Sequence, residues 1–201
     1  MNNFTDEKQR CGWCLSSDLY KEYHDQEWGT PVYDDATLFE FLLLETFQAG
    51  LSWITILNKR ENFRAAFDQF NYKKIATYND DKILELLQDA GIIRNKLKVY
   101  SAVTNAQNFI KIQEEFGSFS EYIWDFTDGK PLINKPKTLI DVPATTLLSD
   151  KISKDLKKRG FKFVGSTVMY AFMQAIGIVN DHVENCWKKS YRPTQSESIY
   201  N

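Results

Sequence analysis

The chain has 201 residues, 43% hydrophobic and 14% aromatic, which suffices for one buried core. No run approaches the roughly 18 apolar residues of a membrane span, and Met1 to Glu7 lacks the basic-then-apolar pattern of a secretory leader, so a cytoplasmic monomer is expected. A net charge of −2 excludes a uniformly basic nucleic-acid binder, yet residues 1–50 hold ten acidic against three basic side chains, leaving +5 for the rest.

In chain order the pattern is helical. Asp34 and Asp35 cap a helix to about Ala49, where Gly50 interrupts it. A helix resumes from Ser52 to about Phe67, with Trp53, Ile56 and Leu57 at helical spacing. Asn79-Asp80-Asp81 caps Ile83 to Ala90, whose stripe is Ile83, Leu86, Leu87 and Ala90, and Gly91 stands where a left-handed terminator is expected. After Ile92-Ile93-Arg94 a helix runs from Asn95 to about Glu115, and Ser118 opens a short one through Trp124. Residues 127–144, with three prolines and Gly129, read as loop or short extended structure. Ser149 caps a helix to Arg159, stopped by Gly160. Thr167 to Ile176 is apolar nearly all round and reads as a central buried helix. Residues 188–201 read as a polar tail, frayed from Gln195. An all-α domain over residues 1–187 follows, with no alternating run that demands a sheet.

Two basic knots stand out: Arg94, Lys96 and Lys98, then Lys154, Lys157, Lys158, Arg159 and Lys162. Either can serve phosphate contact or be a solvated helix face.

The three cysteines and two histidines all lie near the chain ends. His182 and Cys186, four apart, fit one face of a helical turn, and Cys11 and His24 supply a second pair. Two thiolates and two imidazoles suit a closed tetrahedral zinc site, which leaves no position for a reacting water and is therefore structural. The His-Glu-x-x-His pattern of zinc proteases and the cysteine-pair pattern of zinc deaminases are both absent. Spacing alone leaves Cys14 as a fifth candidate for four places.

Glu45 continues the stripe of Leu38, Phe41 and Leu42. A carboxylate there either reaches solvent at the stripe's edge or faces a wet or liganded cavity. Trp13, Tyr20, Tyr23 and Trp28 crowd the N-terminal segment, and Trp53 follows Glu45 by eight residues. Aromatic planes around one carboxylate describe a pocket for a flat, electron-poor ring; a tightly packed core would explain the aromatics but not the glutamate.

Seven segments resemble one family. They are Arg10-Cys11-Gly12-Trp13, Tyr23-His24-Asp25-Gln26-Glu27-Trp28-Gly29, Gln48-Ala49-Gly50-Leu51-Ser52-Trp53, Lys59-Arg60-Glu61-Asn62, Asp89-Ala90-Gly91-Ile92-Ile93-Arg94, residues 157–165 and Asn180-Asp181-His182-Val183. In this order, over roughly residues 10–187, the chain is similar to the type I 3-methyladenine DNA glycosylases. The resemblance implies a helix-hairpin-helix fold with a zinc clip on Cys11, His24, His182 and Cys186, and leaves Cys14 a bystander. It implies that Glu45 hydrogen-bonds an extruded 3-methyladenine, that Tyr23 assists, that Trp53 stacks on the ring, and that Trp13, Tyr20 and Trp28 shape the walls.

The double-stranded alkylated DNA would meet Gly91, Arg94 and Lys96 at the hairpin. Leu51, after the flexible Gly50, is either a wedge into the vacated stack or a core residue. Type I enzymes similar to this chain lack the aspartate that other members of the superfamily carry after the hairpin, so Asp125 is not given that role. A zinc-stapled lesion-binding module without catalysis is the alternative reading.

Overall fold

The computed structural model describes residues 8–189. Ten α-helices carry the architecture among them, beginning with α1 (Asp18–Gln26), α2 (Asp35–Gln48), α3 (Trp53–Leu57), α4 (Arg60–Ala66) and α5 (Tyr72–Ile75). They continue with α6 (Asp80–Gln88), α7 (Lys96–Phe116), α8 (Phe119–Asp125), α9 (Leu147–Lys158) and α10 (Ser166–Ala175). Two residues of each of two segments, β1 (Leu132–Ile133) and β2 (Val179–Asn180), pair in parallel, a pairing too short for sequence periodicity to signal. No helix among the described residues is long and apolar enough to cross a membrane.

The centre of the fold is α2, packed against α3, α7, α8 and α10. Every residue from Leu38 to Phe47 is buried. The expected one-sided stripe is therefore the wrong frame: α2 is enclosed all round, and it encloses two glutamates, Glu40 and Glu45. The central position read for residues 167–176 is shared, since α10 packs on both α2 and α9.

Capping chemistry set most helix starts. Asp34, Asn79, Asn95 and Ser118 accept backbone N–H groups at the N-termini of α2, α6, α7 and α8. The α9 start differs from expectation: Thr146 is the cap, and Ser149 is its reciprocal partner three residues on. The helix read from Ser52 to Phe67 breaks at Asn58–Lys59 into α3 and α4.

Gly91 is not left-handed. Asp89 ends α6 in extended conformation (ψ 107°), and its Oδ1 accepts from Gly91 N at 2.7 Å. Glycine is needed for space instead, because a Cβ would lie 2.9 Å from that Oδ1 and 3.1 Å from Asn62 Cβ. At Gly177 both demands coincide: φ is 73°, and a Cβ would stand 2.3 Å from the Thr30 carbonyl carbon. That close approach lets Gly29 N bond Gln174 O and Val32 N bond Ile176 O, docking the segment after α1 onto the end of α10.

The first two residues of the stretch read as a polar tail, Lys188 and Lys189, belong to a structured turn. Trp187–Lys189 form a 3-10 turn, with Lys188 buried and donating to Thr30 Oγ1. Residues 190–201, on which the expectation of fraying from Gln195 falls, lie outside the described residues.

Candidate active site and metal centre

Cys11, His24, His182 and Cys186 converge, all buried, with their ligand atoms within 4.8 Å of one another. His182 Nδ1 lies 3.7 Å from Cys11 Sγ, 3.5 Å from Cys186 Sγ and 3.2 Å from His24 Nε2, which is 3.4 Å from Cys186 Sγ. A tetrahedral ion with bonds of about 2.0–2.3 Å has ligand–ligand edges of about 3.3–3.8 Å. The four edges from His182 Nδ1 and His24 Nε2 given above, 3.2 to 3.7 Å, lie at or close to that range. Each imidazole's other nitrogen is also engaged, His24 Nδ1 with Asp25 Oδ1 at 2.8 Å and His182 Nε2 with Trp28 O at 3.1 Å, which fixes the tautomers a metal would need. The two sulfurs push each other apart in acidity through their mutual hydrogen bond, Cys11 up and Cys186 down. Cys14 turns away and donates to Cys11 O at 3.1 Å.

His182 and Cys186 do not share a helix. They flank a turn at Glu184–Asn185 in which Cys186 N bonds Val183 O at 2.8 Å. Four-residue spacing brings side chains together in a tight turn as it does on a helix, so the pairing held while the local structure differed.

Asp25 ties the cluster to both chain ends, accepting from Arg10 Nε and Nη2, His24 Nδ1 and Trp187 Nε1. Burial opposes its ionisation, but the bonds from Arg10, His24 and Trp187 outweigh it and hold the carboxyl down at about 2.

Beside the cluster is a cavity of about 270 Å³ lined by Trp13, Tyr20, Tyr23, Trp28, Glu45, Gln48, Trp53, Leu139, Val142, Ala171 and Gln174. All six expected pocket residues are in its wall. The rings interlock: Trp13 meets Tyr20 at 4.8 Å and Trp28 at 5.0 Å, and Tyr23 meets Trp53 at 5.2 Å. The wall rests on the cluster, with Trp28 4.7 Å from the His182 ring and Trp13 5.4 Å from that of His24. One helix, α1, thus sends His24 to the cluster and Tyr20 and Tyr23 to the cavity.

Glu45 is 3% exposed, and burial raises its carboxyl to about 8. Its Oε2 and Trp53 Nε1 are the two buried side-chain polar atoms without a hydrogen-bond partner among the described residues. Both belong to this cavity's wall. Such orphans are costly in a finished core and expected in a site that a ligand completes. Burial, then nearby Glu45 and Glu27, keeps the Tyr23 phenol protonated by raising its pKa.

Sequence reasoning missed five lining residues. Gln48 was within reach, one helical turn after Glu45; Ala171 and Gln174 required knowing that α10 packs on α2, and Leu139 and Val142 come from a loop without periodicity.

The expected DNA-facing residues fall outside the cavity. Leu51 is 41% exposed after Gly50 at φ 80°, which rules out the core alternative. Arg94 and Lys96 are exposed in and just after the α6–α7 connection, where Lys59 Nζ bridges Ala90 O and Gly91 O at 3.1 Å each. Lys98 does not join them. It is buried and donates to Phe47 O at 2.8 Å and Ala49 O at 2.6 Å, sealing the end of α2. In the second knot Arg159 is engaged by Glu115 at 2.6 Å and Asp155 at 2.7 Å, while Lys154, Lys157, Lys158 and Lys162 stay exposed.

Comparison with known proteins agrees with this geometry. The methyladenine glycosylase family model matches residues 13–189. The DNA-3-methyladenine glycosylase 1 of Escherichia coli is 48% identical over 178 residues, 89% of this chain and 95% of that one. The DNA-3-methyladenine glycosylase of Haemophilus influenzae is 46% identical, covering 88% and 96%. Among solved structures, that of Staphylococcus aureus 3-methyladenine DNA glycosylase I, which addresses 3-methyladenine recognition, superposes with a TM-score of 0.88 at 35% identity, covering 92% of this chain and 98% of that one. The chain belongs to the methyladenine glycosylase family.

Proposed function

We propose that the protein excises 3-methyladenine from alkylated double-stranded DNA by hydrolysing the N-glycosidic bond, leaving an abasic site. The observation that carries this is the pair of orphaned polar atoms, on Glu45 and Trp53, in an aromatic cavity of about 270 Å³. Methylation at ring position 3 makes the nucleotide cationic, so its bond to the sugar is already weak and the base departs neutral. Water's oxygen becomes the sugar hydroxyl and one proton is released. The protein's work is extrusion and selection.

Glu45 performs the selection. With its pKa near 8 it is mainly protonated in an empty cavity at neutral pH. A cationic purine repays ionisation of this carboxyl, whereas neutral adenine does not. Because cleavage discharges the cation, that attraction favours binding more than rate, and the enzyme needs no strong nucleophile. Trp53 stacks on the ring, Tyr23 assists, and Trp13, Tyr20 and Trp28 complete the walls.

The α6–α7 pair serves as the helix-hairpin-helix, where Gly91, Arg94 and Lys96 meet phosphate, and Leu51 fills the vacated stack. The metal is a single zinc on Cys11, His24, His182 and Cys186. When bound it supplies a structural cross-link and no open coordination position. The protein works as a cytoplasmic monomer.

Two measurements test this. Purified protein should release free 3-methyladenine from methylated duplex DNA; binding without release would leave a lesion-binding module. Metal analysis should find one zinc per chain, and a zinc-free Cys186→Ser protein of unchanged stability would remove the clip.

A further inference from the structure

Leu139 and Val142 line the cavity, and between them Ile140 projects away from the protein. It is 95% exposed, the most exposed large apolar side chain among the described residues. A single exposed apolar residue ordinarily needs no explanation. The surroundings of this one supply three reasons to look further.

Its turn is closed tightly. Asp141 Oδ2 accepts from Lys137 N at 3.0 Å, Thr138 N at 2.8 Å and Thr138 Oγ1 at 3.2 Å. The turn is also anchored to the site, because Pro136 O accepts from Glu184 N at 2.9 Å, within the loop joining His182 to Cys186. Finally, Lys135 and Lys137 lead into it, both exposed, while the one acid of residues 135–142, Asp141, is engaged in closing the turn. A rigid aliphatic tip, preceded by two cations and flanked by cavity-lining residues, matches a duplex opened at one nucleotide: phosphates outside, unstacked base faces within.

We propose that residues 135–142 form a second DNA-contacting arm, in which Lys135 and Lys137 bind phosphates beside the extruded nucleotide and Ile140 packs on the base stack left open next to it. This rests on the reading of the cavity as the receptacle for an extruded base. It adds an arm to the contacts assigned to Leu51 and the α6–α7 connection.

The test is fluorescence anisotropy with a labelled duplex bearing a tetrahydrofuran abasic-site analogue, beside a tryptophan-fluorescence titration with free 3-methyladenine. Ile140→Ser should weaken duplex binding about ten-fold, the scale of one buried aliphatic side chain, and leave free-base affinity at the wild-type value. Lys135→Ala with Lys137→Ala should flatten the log-log dependence of duplex affinity on salt by about 2, close to one per phosphate contact. Wild-type duplex affinity in the Ile140 variant, or a wild-type salt slope in the lysine pair, overturns the arm. So does an equal loss of free-base binding, since the cavity itself would then have changed. Failure of the wild-type protein to release 3-methyladenine would instead overturn the glycosylase reading, because the arm is read from binding alone.

Discussion

Helix α2 buries two glutamates five residues apart, and their surroundings are opposite. Glu40 is matched by cations: Arg60 Nε reaches its Oε1 at 2.6 Å, Arg64 Nη2 reaches the same oxygen at 2.9 Å, and Arg64 Nη1 reaches Oε2 at 3.0 Å. Arg60 is also held by Glu27 at 2.8 Å, so the network closes on itself. Glu45, less exposed than Glu40, has no cation and an unpartnered oxygen. A buried acid with its counterions inside the protein is architecture; one without them is waiting for a counterion from outside. The same helix builds the fold at one end and leaves it incomplete at the other.

Four experiments can break or sharpen that contrast. The largest effect is on stability against pH. Because the folded-state pKa of Glu45 is raised, from an ordinary 4.5 to about 8, its contribution is fully present below pH about 4.5 and is lost as pH rises toward and through 8. The loss amounts to roughly 5 kcal/mol, and denaturant titrations should show it in the wild type and not in Glu45→Gln. Parallel pH profiles of the two proteins would mean that Glu45 has a partner in solution. Next, Glu40→Ala should cost about 3 kcal/mol in the same titrations, since it leaves Arg64 with only the exposed Glu61 and removes half of Arg60's pairing; a loss below 1 kcal/mol would make Glu40 as dispensable to the fold as Glu45.

Third, Glu45→Gln should fold normally and excise 3-methyladenine about 100-fold less efficiently, the scale of a few kcal/mol of lost charge attraction. Excision within a factor of three of wild type would take selection away from this carboxyl. Smallest is Lys98→Met, which leaves the Phe47 and Ala49 carbonyls unpaired at the Glu45 end of α2. It should cost about 1–2 kcal/mol, measured by thermal unfolding.

The contrast also marks what could be read from residues alone. Glu45 was visible because it interrupted an apparent stripe with no local cation. Glu40 was not, because its arginines, Arg60 and Arg64, come from α4 and are brought alongside only by tertiary packing. Helix boundaries were legible where a cap is local, as at Asp34 and Asn95. They misled where glycine and serine have two uses: Gly91 is required for room rather than handedness, and Ser149 sits one turn inside α9. The Cys/His cluster was legible because so few such residues exist in the chain. Lys98 was not separable from Arg94 and Lys96, since a knot of charge in sequence carries no information about which member the fold turns inward.

The joining of Cys11 to His182 has a consequence for how the protein comes into being. These two residues are 171 positions apart, and Trp13 and Trp28, which close the cavity, lean on the histidines that sit between the chain's two ends. Contacts so remote in sequence form late, after the cost of closing the intervening loop has been met. During synthesis Trp13 and Trp28 leave the ribosome long before His182 and Cys186 and must wait, without their support, for that segment. A chain that stops before residue 182 therefore lacks the support on which the Trp13 and Trp28 walls of the cavity rest.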